Sequence, residues 1–438
     1  MTSRRERPLP RGRLGRLAAF GQLAGGIATG MMGEGLTRLA RGERPHLRDL
    51  MLTPANATRA ADHLSRLRGA AMKLGQLLSL DDGAFLPPEL TGILSQLRDQ
   101  ADAMPRRDLE MMLAGAWGSD WRRHFRDFDQ QPIAAASIGQ VHRACLLDGR
   151  AVAVKVQYPG VAESIASDLD TLSRLIAVSG LVPSGLDIRP HLAEAKRQLQ
   201  EETDYIREAA SMQSFRHLLQ DDARFLVPEP IEELLHPTVL VMDYLPSQPI
   251  EGLRDEPADR RNAIVCALLD LTLKEMFDFG LMQTDPNFAN FRWQRTSGRI
   301  VLLDFGATRA VSQNSALAYR RLLSAALIGE RRNVIDILIA MGFISNLQVT
   351  RHGPIINSTI DTVTEHLRAT PQGLIDLSDR GPLGRVREDM MVIAADRSAY
   401  SLPSPDKIFL QRKIAGLALM AMNLKAEIPL RSLLERYS

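Results

Sequence analysis

Cysteine is nearly missing from the chain. Only Cys145 and Cys266 occur in 438 residues, and they show no metal-ligand spacing. A disulfide framework and a cysteine-built zinc site are excluded, and both residues are expected to be small buried apolar side chains, which fits a reducing compartment. An excess of one charge is missing too. The 54 Lys and Arg against 52 Asp and Glu leave a net charge of +2, which argues against a dedicated nucleic-acid binder. There is no internal repeat and no low-complexity tract. There is also no full membrane span. The longest weakly charged stretch, Leu17–Met32, has 16 residues. As a helix it would reach about 24 Å, short of the roughly 30 Å hydrocarbon core. Lysine is scarce, with seven against 47 arginines.

What is present is ordinary for a globular soluble or peripheral protein, with 45% hydrophobic and 24% charged residues. Single cores rarely grow beyond about 250–300 residues, so this length suits a two-lobe unit with extra helices. The first sixteen residues carry Arg4, Arg5, Arg7, Arg11, Arg13 and Arg16 against Glu6 alone. With the Gly-rich stretch that follows, they predict a helix that lies on a membrane or docks on the protein body. A signal peptide is the other reading, but no small-residue cleavage site closes the stretch. Gly21 with Gly25, and Gly26 with Gly30, are spaced for close helix–helix approach.

A stripe of Leu64, Leu67, Ala71, Leu74 and Leu78 predicts an amphipathic helix over 57–80, and Pro87-Pro88 starts a second over about 88–101. From Ile133 to Tyr158, short apolar runs split by Asp148-Gly149 predict a β-hairpin whose return strand is Ala151–Val156. Helical patterns cover 161–178 and 189–219. Val239–Met242 and 300–303 read as strands, 283–291 as a polar loop, and everything after about 313 as helical. The resulting division is a basic membrane-associating segment at 1–45, a helical extension at 46–128, a β-containing lobe at 129–246 and a helical lobe at 247–438.

Lys155 stands in the middle of an apolar strand in a chain whose default cation is arginine. A compact ammonium there can meet phosphate oxygens as a point charge; a lysine snorkelling from an edge strand is the plainer reading. Upstream, Ala134–Val141 is a small-residue turn whose backbone could approach phosphate. It holds one glycine, so its local sequence fits an ordinary tight strand connection better. Downstream, Asp285 is followed five residues later by Asn290 and nineteen later by Asp304-Phe305-Gly306. In phosphoryl transfer, an Asp orients the acceptor while an Asn and a second Asp hold Mg²⁺ that bridges phosphates. Lys, Asp, Asn and Asp-Phe-Gly keep that order. Glu201, Glu202, Asp204 and Glu208 are candidate partners for Lys155. Asp204 and Glu208 would share a face of a continuous helix, and Glu208 is the favoured partner; a solvated acidic face is the plainer reading.

These residues resemble the UbiB/AarF (ADCK-type) atypical kinase family, over about Arg13–Pro429. The most specific element is Lys73-Leu74-Gly75-Gln76, matching the family's K-x-G-Q motif. Leu86–Leu90 and Leu94–Leu97 follow it, and an Ala-rich loop replaces a Gly-rich one. Glu202-Thr203-Asp204 matches the E-x-D motif, and Met242-Asp243-Tyr244-Leu245 looks like an adenine-reading hinge. Arg13–Ala18 is similar to the coenzyme Q-linked branch.

The resemblance implies an α+β, two-lobe protein-kinase-like fold whose N-terminal helical extension folds over the active site. It implies ATP and Mg²⁺ as cofactors. Ala135, Ala136, Ser137, Gln140 and Lys155 would join the hinge residues around ATP. Asp285, Lys155 and Glu208 would be catalytic, Asn290 and Asp304 metal ligands, and Lys73, Gln76, Glu202 and Asp204 a regulatory lid. The implied activity is an atypical kinase or ATPase supporting ubiquinone biosynthesis at the membrane, not a protein kinase in trans. Expected partners are a membrane lipid or isoprenoid quinone precursor, quinone-biosynthesis enzymes and a second copy of the chain, with no nucleic acid. The expected location is the cytoplasmic face of a bacterial inner membrane, or the matrix side of the mitochondrial inner membrane.

The catalytic loop departs from the family's usual H-x-D-P-H-P-G-N, reading Gln283-Thr284-Asp285-Pro286-Asn287-Phe288-Ala289-Asn290. Gln283 supplies no imidazole, and Ala289 is expected to restrict the backbone before Asn290. A weakly catalytic, nucleotide-gated scaffold for isoprenoid lipid or biosynthetic enzymes is therefore a second reading, and a soluble small-molecule phosphotransferase a third.

Overall fold

The computed structural model describes residues 104–136, 138–163, 165, 170, 189–369, 374–377, 380–396 and 405–438. The segment 1–45, the helices expected over 57–80 and 88–101, and most of 161–178 lie outside them. The chain divides into two compact units. The first covers the described residues up to Ala209 together with Glu229–Tyr244, and the second covers Ala210–Pro228 and Leu245–Ser438.

In the first unit, Pro105 precedes helix α1 (Arg106–Trp117), and Gly118 at φ 84° ends it. Leu109 and Leu113, one turn apart, are 2% and 0% exposed. The unit's antiparallel sheet runs in the order β1 (Phe125–Ala135), β2 (Gly139–Leu146), β3 (Ala151–Gln157), β5 (Val239–Asp243). Val152, Val154 and Val156 alternate along β3 and share one apolar core with Leu109, Leu113, Trp121, Val239 and Val241. Each such side chain contributes about 1.5–3 kcal/mol by leaving water. Thus α1, within the expected helical extension, belongs to the same core as the sheet. Strand β1 starts at Phe125, ahead of the expected Ile133, because as an edge strand it keeps Asp127, Asp129 and Pro132, which sequence propensity reads against strand. Its register slips on either side of Pro132.

The single helix expected over 189–219 is two, α2 (Arg189–Glu202) and α3 (Tyr205–Leu218). Asp204 makes the break. Its Oδ1 accepts from the backbone N–H groups of Ile206 and Arg207 at 3.0 and 3.2 Å, an N-cap that starts α3 afresh.

In the second unit, a four-stranded sheet has the order β4 (Phe225–Leu226), β9 (Ile300–Leu302), β8 (Phe291–Trp293), β6 (Gln248–Pro249). A two-stranded ladder pairs β7 (Leu281–Gln283) with β10 (Thr308–Ala310). Helix α4 (Ala258–Lys274) widens into a π-helical turn at Glu275–Phe279, a form that frequently marks functional sites. Among the described residues six helices follow: α5 (Gln313–Ile328), α6 (Arg331–Met341), α7 (Asn346–Ala369), α8 (Arg380–Ala395), α9 (Pro405–Asn423) and α10 (Leu430–Glu435). The all-helical expectation misses one small ladder, β11 (Ile375–Asp376) with β12 (Glu427–Ile428). Among the described residues, no helix is long and apolar enough to cross a membrane.

Candidate active site

In the first unit, Lys155 projects from the face of β3 opposite the valine core. Its Nζ lies 2.7 and 2.9 Å from the two carboxylate oxygens of Glu208, in the first turn of α3. The two side chains are 7% and 1% exposed. The Tyr205 ring lies 5.1 Å from the same ammonium. Gln157, two residues along the same face, donates to the carbonyls of Thr203 and Pro237 at 2.6 and 3.1 Å, which fixes the chain just before α3. Asp204 is the cap of that helix, and Glu202 is buried at the end of α2.

Ahead of Lys155, Ala136 N–H closes the small-residue turn on Gly139 O at 2.9 Å. Gly139 is needed for pairing with β3: a Cβ there would overlap the Val156 carbonyl oxygen and sit 3.0 Å from its carbon. Gln140 is 1% exposed and its side chain is engaged inside the unit. Its Oε1 accepts from Met104 N–H at 2.8 Å, and its amide meets His142 Nε2 at 2.8 Å. His142 Nδ1 faces the Asp129 carbonyl at 2.8 Å, so Nδ1 carries the proton and Nε2 accepts. Burial lowers the His142 pKa, which keeps the ring neutral. Any contact from Gln140 to a ligand is left to its backbone. At the end of β5, Met242 is buried, Asp243 N–H donates to Glu229 O, and the Tyr244 ring lies beneath the Arg143 guanidinium at 4.9 Å. Leu245 opens the second unit, where its carbonyl accepts from Ser247 Oγ at 3.0 Å.

The second unit carries the acidic loop between β7 and β8. Asn290 Nδ2 donates to Asp285 O at 3.4 Å, and Leu303 N–H donates to Asn290 O at 2.8 Å, tying the loop to the strand before Asp304. Asp304 has φ 60°, left-handed for a side chain that rarely adopts it. Such a conformation costs about 1–3 kcal/mol and persists only where its surroundings impose it. Here Gly306 N–H caps Asp304 Oδ1 at 3.2 Å, and Phe305, 1% exposed, packs on Phe215 with ring centroids 5.0 Å apart.

Gln283 joins the two acidic segments. Its Nε2 donates to Asp285 O at 3.1 Å and to Asp304 O at 3.2 Å, while its Oε1 accepts from Lys413 Nζ at 2.9 Å. Lys413 and Glu275 are each 1% exposed and lie 3.6 Å apart. Burial pushes the Lys413 pKa down and that of Glu275 up, with their mutual attraction opposing both shifts.

The sequence profile of the ABC1 atypical kinase-like domain matches residues 96–338. The chain is 36% identical over 421 residues to the atypical kinase COQ8, mitochondrial, of Saccharomyces cerevisiae, covering 96% of this chain and 83% of that protein. It is 37% identical over 434 residues to the atypical kinase COQ8B, mitochondrial, of Rattus norvegicus, covering 98% and 81%. A Mycobacterium tuberculosis protein solved in complex with erythromycin is similar at 26% identity and a TM-score of 0.59, over 87% of this chain and 96% of that one. The chain belongs to the ABC1 atypical kinase-like family. Its kinase-like α+β fold follows from that membership.

Within the family's loop, the two departures noted in sequence do not unmake the geometry. The Gln283 amide gives two donors where an imidazole would give one per nitrogen. Ala289 lies in a short 3₁₀ turn, Phe288–Asn290, capped by Asn287, and is not among the described residues with positive φ. The expected loss of backbone freedom therefore has no consequence here, since the position does not need glycine. Lys73, Gln76 and Ser137 lie outside the described residues. No local pattern marks Lys413 or Glu275, which are 138 residues apart. Scarcity of lysine was the one signal that could have singled out Lys413.

Proposed function

We propose that the chain is an ATP- and Mg²⁺-dependent atypical kinase or ATPase that supports ubiquinone synthesis as a peripheral protein at a membrane. The observation that carries this reading is the buried Lys155–Glu208 pair, with both carboxylate oxygens on one ammonium. Burying two ions costs several kcal/mol each before their attraction offsets it, so the pair is a poor choice for stability alone. It suits a lysine held extended to meet phosphate.

The acidic loop supports the rest. Asn290 directs its amide nitrogen at Asp285 O, which leaves its amide oxygen as the donor for a cation. That oxygen and the Asp304 carboxylate are hard ligands that fit Mg²⁺, whose remaining positions would go to water and nucleotide phosphate. Among the described residues no group of three or more His, Cys, Asp or Glu side chains could hold a metal by itself, so nucleotide oxygens would complete the shell. Asp285 would orient the phosphoryl acceptor. The hinge residues 242–245 and the backbone of 135–140 would hold the nucleotide, and Lys73, Gln76, Glu202 and Asp204 would form the lid. Membership beside relatives named as mitochondrial atypical kinases supports the quinone-linked process. A basic N-terminal segment supports peripheral membrane binding.

The test is ATP hydrolysis by the full chain with and without liposomes, beside Asp304→Asn. Metal-dependent hydrolysis lost in the variant is expected. A parent without metal-dependent hydrolysis would refute the catalytic reading in favour of a nucleotide-gated scaffold.

A further inference from the structure

Helix α9 presents one face to the catalytic segments of its own unit. Phe409, Lys413 and Gly416 fall at i, i+4 and i+7, which share a side of a helix. Each meets a different part of the loop system. The Phe409 ring lies 4.4 Å from the Arg309 guanidinium, on the strand that follows Asp304-Phe305-Gly306. Lys413 Nζ donates to Gln283 Oε1 at 2.9 Å, just before Asp285. Gly416 lies against Pro286, just after Asp285: a Cβ on Gly416 would overlap the proline Cβ and lie 2.8 Å from its Cγ.

The chemistry at Gln283 has one solution. An ammonium has only donors, so it selects the amide oxygen. The amide nitrogen is then turned toward the carbonyls of Asp285 and Asp304, which only accept. A flipped amide would set NH₂ against NH₃⁺ and an oxygen against two carbonyl oxygens. Lys413 is itself fixed on its other sides, by Glu275 at 3.6 Å and by the Phe291 ring at 5.0 Å. Glu275 also accepts from Gln283 N–H at 3.3 Å, and the π-helical turn is what presents it there.

We propose that Lys413 and Gly416 are positioning residues: together they seat the Asp285 and Asp304 segments in register, so that Mg²⁺-nucleotide finds both at once. Neither would touch substrate. Lys413 acts through the Gln283 amide and Gly416 by letting the helix backbone reach Pro286. The proposal rests on the reading of Asp285, Asn290 and Asp304 as the acceptor and metal residues.

The experiment compares three full-length proteins: the parent, Lys413→Met/Glu275→Gln, which leaves no unpaired buried charge, and Gly416→Ala, which adds one methyl to a helix that alanine favours. For each, ADP affinity is measured with Mg²⁺ and with EDTA, and amide hydrogen exchange is read in peptides covering 283–290 and 303–308. Loss of one hydrogen bond to a charged group should cut the Mg²⁺-dependent gain in ADP affinity about tenfold in the double variant, and faster exchange should appear in both peptides. ADP affinity in EDTA should stay within about twofold. Gly416→Ala should move both readouts the same way, and it decides alone if the double variant does not fold. Variants that match the parent in Mg²⁺ dependence and exchange overturn this inference. A parent whose ADP affinity ignores Mg²⁺ overturns the functional reading itself, and this inference with it.

Discussion

Removal of the Lys155 ammonium should expose the energetics of the first unit most directly. At 2.7 and 2.9 Å from Glu208, with side chains 7% and 1% exposed, the two charges are paired out of water. At an effective dielectric near 20 their attraction is about 6 kcal/mol, most of it offset by the cost of desolvating both ions. Lys155→Met keeps the apolar stem but takes the ammonium from a buried carboxylate, so the loss should be about 3–5 kcal/mol. Lys155→Met/Glu208→Met removes both charges and should recover most of that loss, or exceed the parent. Hydrogen exchange at increasing urea, read in peptides from β2 and β3, measures the first unit alone. ATP hydrolysis should be lost in both variants, separating the stability of the pair from its chemistry. A loss below about 1 kcal/mol in Lys155→Met, or a double variant no more stable than the single one, would refute the argument.

Two further outcomes follow from local geometry. Gly139→Ala should destabilise the β2–β3 hairpin by about 1–3 kcal/mol, because the obstacle is the Val156 backbone and cannot swing away; thermal denaturation reads it. Asp222 should shape the acid limb of the second unit's stability. Hydrogen bonds from Arg224 and Lys274 hold its carboxyl well below the ordinary carboxylate range. The folded state therefore binds this proton less readily than the unfolded chain, and the contribution is complete above about pH 4 and lost as pH falls further. Asp222→Asn should flatten the acid transition followed by circular dichroism, and an unchanged acid limb would count against the pairing.

Several features were legible in the sequence because they are local. The alternation of Val152, Val154 and Val156 around Lys155, the Asp148-Gly149 turn and the ordered run Asp285, Asn290, Asp304 need only strand period, turn chemistry and spacing. Glu208 could be chosen among four neighbouring acids, and it is the one at Lys155. The continuous helix from Asp204 expected there does not form, since Asp204 caps a new helix. Strand β1 before Ile133 and the two-residue ladders are not legible in the sequence, because edge and very short strands carry little apolar pattern.

By itself, then, the sequence determined which residue types stand at the chemical positions and in what order, since motif and periodicity are properties of neighbours along the chain. Only the tertiary structure decided what holds them. Lys413 and Gly416 reach Gln283 and Pro286 from 130 residues away in each case. No local pattern encodes that approach, because it comes from how α9 packs. The left-handed Asp304 was equally hidden, since the Gln283 amide that donates to its carbonyl and the Asn290 carbonyl that accepts from Leu303 N–H come from a distant loop.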